Sequence, residues 1–294
     1  MTQEHHPSPS VCVYGDSCNR VTYSNRSTCA PKGSTVNIYC LYNAYEKDFK
    51  SRFWFRPDRN HQWSPGRIQD LRDDSQYAGR VQVFEEKQSN GTRSNLQIRK
   101  LRESDEGQYH FKFKTPKFEW RGSLPGTFLT VTDLQLTVAT ITTETSNVLA
   151  EVTCHSRCSE ASYAFFKNGT KIITGSLRHR GNFYPGDRIS CALERYEDYR
   201  SPSLYSPERP SVWASPSREI MEGSSVTLTC NSDANPAAEY TWYKYASSYQ
   251  TFLRNGAQLV LRYIQPSGSA EYRCYAQNGL GRSYNSIFIN VKCE

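Results

Sequence analysis

One pattern is written three times into the 294 residues of this chain. Each time a cysteine closes a stretch of alternating apolar and polar residues, a large aromatic follows roughly a dozen residues later, and a late stretch ends in Y-x-C or a variant of it. Alternation with a period of two marks a strand that buries one face. Cysteines on the buried faces of an early and a late strand, with an aromatic ring between them, tie two sheets together face to face. The last copy is the cleanest. "SSVTLTC" sets Val226, Leu228 and Cys230 on one face, "YTWYK" supplies Trp242, and "AEYRC" supplies Tyr272 and Cys274, which predicts a Cys230–Cys274 bridge packed on Trp242.

This is the framework of an immunoglobulin sandwich, so the expected fold is all-β: three tandem immunoglobulin-like β-sandwiches, one variable-type and two constant- or intermediate-type. The middle copy reads "VLAEVTC" to Cys154, "YAFFKNG" with Phe165 in the tryptophan position, and "DRISCAL" with Cys191 and with Ile189 in place of the tyrosine. About 37 residues separate its cysteines, which suits a short constant-type sandwich. In the first copy, 69 residues run from Cys40 of "STVNIYC" to Tyr109, room for the extra C′ and C″ strands of a variable domain, with Trp54 as the core tryptophan and Arg80 expected to pair with Asp105. The predicted divisions are a tail over 1–20, a ligand-binding variable-type domain over 21–133, a short constant-type domain over 134–209 and a third domain over 210–294, with "RSPSLYSPERPS" as the last joint;.

Ten cysteines and three N-x-S/T sequons, at Asn25, Asn90 and Asn168, point to an oxidising, secretory compartment;. The net charge of +7 is a modest pull on anionic partners, and no nucleic-acid-binding module accompanies it;. No stretch approaches the roughly 20 apolar residues that span a bilayer, and "MTQEHHPSPS" lacks the apolar core of a signal peptide;. The expectation is an ectodomain fragment or truncated gene product, on the extracellular side of the plasma membrane or secreted, with membrane anchoring supplied in the full-length protein. Enzyme activity and a cofactor are not expected, because His5, His6, His61, His110, His155 and His179 form no triad or metal spacing;. The C-x3-C of Cys154 and Cys158 beside His155 is not a usual zinc knuckle, so no metal site is assigned;.

Within "DEGQYHFKFKTPKFEW", the opening D-x-G-x-Y leads toward Y-x-C, but Phe111 stands where the cysteine belongs. Alternation sends Tyr109, Phe111 and Phe113 inward and His110, Lys112 and Lys114 outward. Phenylalanine thus replaces a cross-link worth about 2 to 4 kcal/mol with aromatic burial worth about 2 to 3 kcal/mol, and lets the two sheets sit further apart.

A variable domain with Y-x-F-K in place of Y-x-C, an extra cysteine in "STCAPKGSTVNIYC", and C-x3-C opening the second domain resembles the sialic-acid-binding immunoglobulin-like lectins, the siglecs. "DDSQYAGRVQVF", "LRESDEGQYHFKF" and "VTDLQLTV" look most like that family's B-lymphocyte receptor branch. The resemblance implies a Cys29–Cys158 bond between the first two domains, with Cys154–Cys191 closing the second. It also implies that the first domain's own bridge runs from Cys40 to the E strand instead of the F strand, but the E strand "SNLQI" offers Ser94 there. Cys40 then pairs with Cys12 or Cys18, or stays buried and free; Cys12–Cys18 as a local loop is an equal alternative, and Cys293 lies beyond the last strand. By position, Lys112 takes the role of the family's sialate-binding arginine and Trp120 that of the aromatic packed on the sugar, with Lys114 and His110 beside them and Trp63 extending the surface. A lysine there costs about 1 to 2 kcal/mol relative to the bidentate arginine. The implied function is an adhesion or immune-regulatory receptor ectodomain that binds sialylated glycans weakly. The alternative partner is a cell-surface protein bound by the same outer sheet.

Overall fold

The computed structural model describes residues 19–58, 68–120, 125–144, 147–159, 161–246 and 249–293. Cys12, Cys18 and Trp63 lie outside them. Two compact units emerge. One holds the described residues up to Asp133 with the short segment that begins at Ser156; the other holds Leu134–His155 and the described residues from Ala161 onward.

The first unit is a two-sheet sandwich. One sheet orders its strands Arg20–Tyr23, Val36–Asn43, Gly91–Ile98, Val81–Gln88. In the other, Ser27–Pro31 lies parallel to Thr127–Thr132, which is followed by Gly107–Lys114 and Ser51–Phe55. The strand Val36–Asn43 buries Val36, Ile38, Cys40 and Tyr42 in strict alternation, as its sequence requires;. Arg80 and Asp105 form the expected pair, buried and bidentate, with Nη1–Oδ2 at 2.7 Å and Nη2–Oδ1 at 2.8 Å;. Between Phe55 and Val81 the described residues include the 3-10 turn Ser75–Tyr77 and no further strand, and 59–67 lie outside them.

Phe111 fills the centre of this core. It is 1% exposed, its ring centroid 5.5 Å from that of Trp54 and 4.7 Å from that of Tyr42. Cys40 is a buried free thiol whose cross-strand partner is Ser94, so the option of pairing with Cys12 or Cys18 is not taken. Ser94 is used instead by the core tryptophan: Trp54 Nε1 donates to Ser94 Oγ at 3.0 Å.

The second unit contains two further sandwiches. In the first of them, Gln135–Thr143, Val148–His155 and Arg178–Phe183 face a sheet of Thr170–Thr174, Tyr163–Lys167, Arg188–Leu193 and Leu204–Tyr205. Cys154–Cys191 joins the two sheets across Phe165. In the other, Ser211–Ser215, Val226–Asn231 and Gln258–Leu261 oppose the sheet of Glu219–Met221, Gly281–Lys292, Ala270–Asn278, Glu239–Ala246 and Tyr249–Asn255. Cys230–Cys274 closes that core beside the fully buried Trp242. The C-x3-C motif is consumed by two bridges, Cys154 to Cys191 and Cys158 to Cys29, while His155 Nε2 lies 2.8 Å from Thr137 Oγ1.

Candidate recognition face of the first domain

The outer face of the sheet containing Gly107–Lys114 holds the residues singled out by the sequence. Period-two geometry places Lys112 and Lys114 there, but the neighbouring strand decides their chemistry. Glu119–Trp120 pairs antiparallel with Gly107–Lys114 so that Glu119 stands opposite Lys114 and Trp120 opposite Phe113. Cross-strand partners share a face. Glu119 therefore joins the two lysines, and Trp120 goes to the side of Phe113.

The consequence for Lys112 is electrostatic. Its Nζ sits 2.6 Å from Glu119 Oε1, with the lysine side chain 14% and the glutamate 24% exposed. The ammonium also lies 6.0 Å from the ring centroid of Phe53, its cross-strand neighbour on the other side. Lys114 is the more open cation at 52% exposed, and its Nζ is 3.9 Å from the other oxygen of the same carboxylate. Two ammonium groups thus share one carboxylate, and the nearer one is mostly desolvated, which strengthens the pair relative to a surface bridge.

Trp120 is half-buried. Its indole stacks on Phe113 with centroids 6.3 Å apart and planes within 6°, and lies 6.4 Å from Phe118. Phe113 is fully buried. The structure does not bring the indole and the Lys112 ammonium onto one face. Nor is His110 an open ligand group: it is 6% exposed, its ring 5.5 Å from Phe55 and 6.4 Å from Tyr23, with Nε2 3.2 Å from Gln108 Oε1. The expected outward direction is right for the strand, but the chain at Gly126 passes so close that a Cβ there would meet His110 Cδ2 at 2.9 Å. That crossing covers the imidazole.

Two residues escaped the sequence reading. Tyr23 accepts a hydrogen bond from the Phe111 amide through its hydroxyl at 2.9 Å, and packs edge-on against Trp54 at 6.2 Å. It satisfies a mid-strand amide between the stretch of Gly107–Lys114 that pairs with Thr127–Thr132 and the stretch that pairs with Glu119–Trp120;. Burial pushes the Tyr23 phenol well above its usual range, so it stays a neutral hydroxyl. Arg56, 5% exposed, is held by Asp58, by the Tyr77 hydroxyl and by the carbonyls of Ser104 and Glu106. An R-P dipeptide after a core strand gives no signal of such a node.

The sequon asparagines Asn25, Asn90 and Asn168 are all exposed. Asn168 and Gly169 take left-handed φ values of 50° and 81° in the hairpin between Tyr163–Lys167 and Thr170–Thr174, a turn that favours this dipeptide;. Among the described residues, no three His, Cys, Asp or Glu side chains are grouped as a metal site, and no helix is long and apolar enough to cross a membrane.

Residues 23–132 match the immunoglobulin V-set domain and residues 209–278 match the immunoglobulin domain family. The chain is a tandem of immunoglobulin domains. Among sequence relatives, mouse B-cell receptor CD22 is 32% identical over 131 residues, 42% of this chain and 15% of the relative. Schwann cell myelin protein of Coturnix japonica is 27% identical over 131 residues, 42% of this chain and 21% of that protein. Human myelin-associated glycoprotein is 27% identical over 112 residues, 36% of this chain and 18% of it. The chain therefore spans about a fifth or less of the length of these curated relatives. Mouse nectin-like molecule 4, solved as its three-domain ectodomain, aligns over 92% of this chain and 98% of its own, at 18% identity and a TM-score of 0.29, too loose a superposition to build on.

Proposed function

We propose that the chain is the recognition portion of a siglec-related, immunoglobulin-superfamily adhesion or immune receptor, displayed on the extracellular side of the membrane, whose first domain binds a protein ligand through its outer sheet. The Lys112–Glu119 pair carries this reading. A sugar carboxylate arriving at Lys112 meets an ammonium already matched by an internal carboxylate at 2.6 Å, and must exchange one ion pair for another;. The Trp120 indole stacks on Phe113 rather than standing beside the Lys112 ammonium. Relatedness to CD22 and myelin-associated glycoprotein supports a cell-surface recognition role. The exposed sequons and the three cystines among the described residues support an extracellular setting;.

The second reading is weak binding of sialylated glycans at the same face. Its support is the position of Lys112, a cation directly after Y-x-F, together with the open Lys114. The two readings separate on cells. Binding of the soluble chain to ligand-bearing cells is measured before and after sialidase treatment. Indifference to the enzyme is the expected outcome, and loss of binding transfers the conclusion to the glycan reading.

A further inference from the structure

The second unit contains a cleft of about 550 Å³, built wholly from its own residues. One wall is the face of the Ala270–Asn278 and Gly281–Lys292 hairpin, where Tyr275 stands opposite Tyr284 and Gln277 opposite Arg282. The other wall carries Glu144, Asn147 and Phe183. The hairpin tip is fixed. Thr140 Oγ1 donates to Gly279 O at 2.8 Å, and the Asn278 amide donates to Tyr205 O at 2.8 Å and Pro236 O at 2.9 Å. The cleft is thereby preformed, and its volume is that of an ordinary small-ligand site.

Two arginines lie over tyrosine rings on this hairpin, and they differ in one respect. Arg273 sits 3.8 Å from the Tyr245 ring and is held by Glu271 through two hydrogen bonds, at 3.0 and 3.2 Å. Arg282 sits 4.0 Å from the Tyr275 ring, lines the cleft, and has no ion-pair partner among the described residues. Stacking fixes its plane and leaves the guanidinium edge, the part that binds a carboxylate bidentately, uncommitted. Across the cleft, the Asn147 amide nitrogen donates to Glu144 Oε2 at 2.9 Å, which holds that carboxylate in place. Tyr284, 52% exposed, tilts against Tyr275 at 5.2 Å and offers a ring face.

The geometry points to a binding site for an acidic saccharide, a pyranose bearing a carboxylate. Each feature accounts for a different part of such a ligand: Arg282 takes the carboxylate, the Tyr284 ring takes the C–H face of the sugar, and the exposed Glu144 accepts hydroxyl protons;. Glu144, the carboxylate in the lining, sets the orientation by repelling the acid end and favouring hydroxyls on its side. A neutral apolar ligand leaves Arg282 and Glu144 unanswered, and a simple inorganic anion leaves the aromatic wall and Glu144 unused.

The test titrates the whole chain by saturation-transfer NMR with a glucuronate-containing disaccharide and with its carboxyl-reduced neutral analogue. The expected result is millimolar binding of the acid, about tenfold weaker binding of the reduced sugar, and a loss of about tenfold with Arg282→Gln and with Tyr284→Ala. Both side chains are exposed, and an unchanged melting temperature confirms that each variant folds. Loss of the titration with Lys112→Ala while Arg282→Gln leaves it unchanged assigns the binding to the first domain and overturns the proposal. Absence of saturation transfer from the wild-type chain, equal binding of the reduced sugar, or insensitivity to both variants overturns the proposal.

Discussion

The first and third sandwiches answer the same packing problem in opposite ways. In the third, Cys230–Cys274 crosses between the sheets at a Cα–Cα distance of 6.4 Å with Trp242 against it. In the first, the late-strand cysteine is Phe111, the early-strand cysteine remains as a buried thiol, and the rings of Tyr42, Phe111 and Trp54 fill the space. The indoles differ as well: Trp54 Nε1 has Ser94 as acceptor, whereas Trp242 Nε1 is buried without one among the described residues. The Ser94 acceptor spares the first core the roughly 1 to 3 kcal/mol that a buried donor without a partner costs;.

Three changes test that contrast, in falling order of effect. Phe111→Ala removes the ring that stands in for the cystine and is expected to cost about 3 to 5 kcal/mol, read as lost hydrogen-exchange protection in Gly107–Lys114 with protection in Ala270–Asn278 retained. A small change at Phe111 would mean that the aromatic cluster does not close this core. Ser94→Cys faces Cys40 in register and is expected to form a disulfide that stabilises the first domain by about 2 to 4 kcal/mol. Mass spectrometry then shows one free thiol fewer; a Cys40 still free after unfolding contradicts the register. Ser94→Ala leaves the Trp54 indole without its acceptor, at an expected cost of about 1 to 2 kcal/mol, visible as a lower melting temperature and a shifted indole N–H resonance.

Thiol chemistry provides a check on the same core without a mutation. Burial pushes the Cys40 thiol well above its ordinary range and shields it, while Cys293 is exposed. Alkylation of the native chain at neutral pH is expected to label Cys293 and spare Cys40, with Cys40 becoming reactive on unfolding. Rapid native labelling of Cys40 would mean that the aromatic core opens readily.

The fold was legible wherever the sequence carries a periodic or covalent signal. Alternation in "VTLTC" and "VNIYC", the cysteine–aromatic spacing, and the Arg80–Asp105 pair all have local signatures, and Phe111 announces itself by interrupting one. The candidate face was legible only in part. Period two assigns Lys112 and Lys114 to the outer side, but it does not say which residue the adjoining strand sets across from them. A register that places Glu119 beside Lys114, rather than Trp120, reverses the chemistry of the face;. His110 was hidden for a similar reason, since the backbone that covers it arrives from Gly126. The extra strands anticipated between Phe55 and Val81 rested on chain length alone, and part of that interval, 59–67, lies outside the described residues.

The central claim is that Lys112 is already neutralised by a carboxylate of its own domain. The most direct measurement is an NMR titration of a sialoside into the wild-type chain, Glu119→Gln and the double variant with Lys112→Ala. Removing the internal counter-charge is expected to raise affinity about tenfold in Glu119→Gln over a near-silent wild type, with the gain abolished once Lys112 is also lost. Sialoside binding by the wild type that Glu119→Gln leaves unchanged would contradict it.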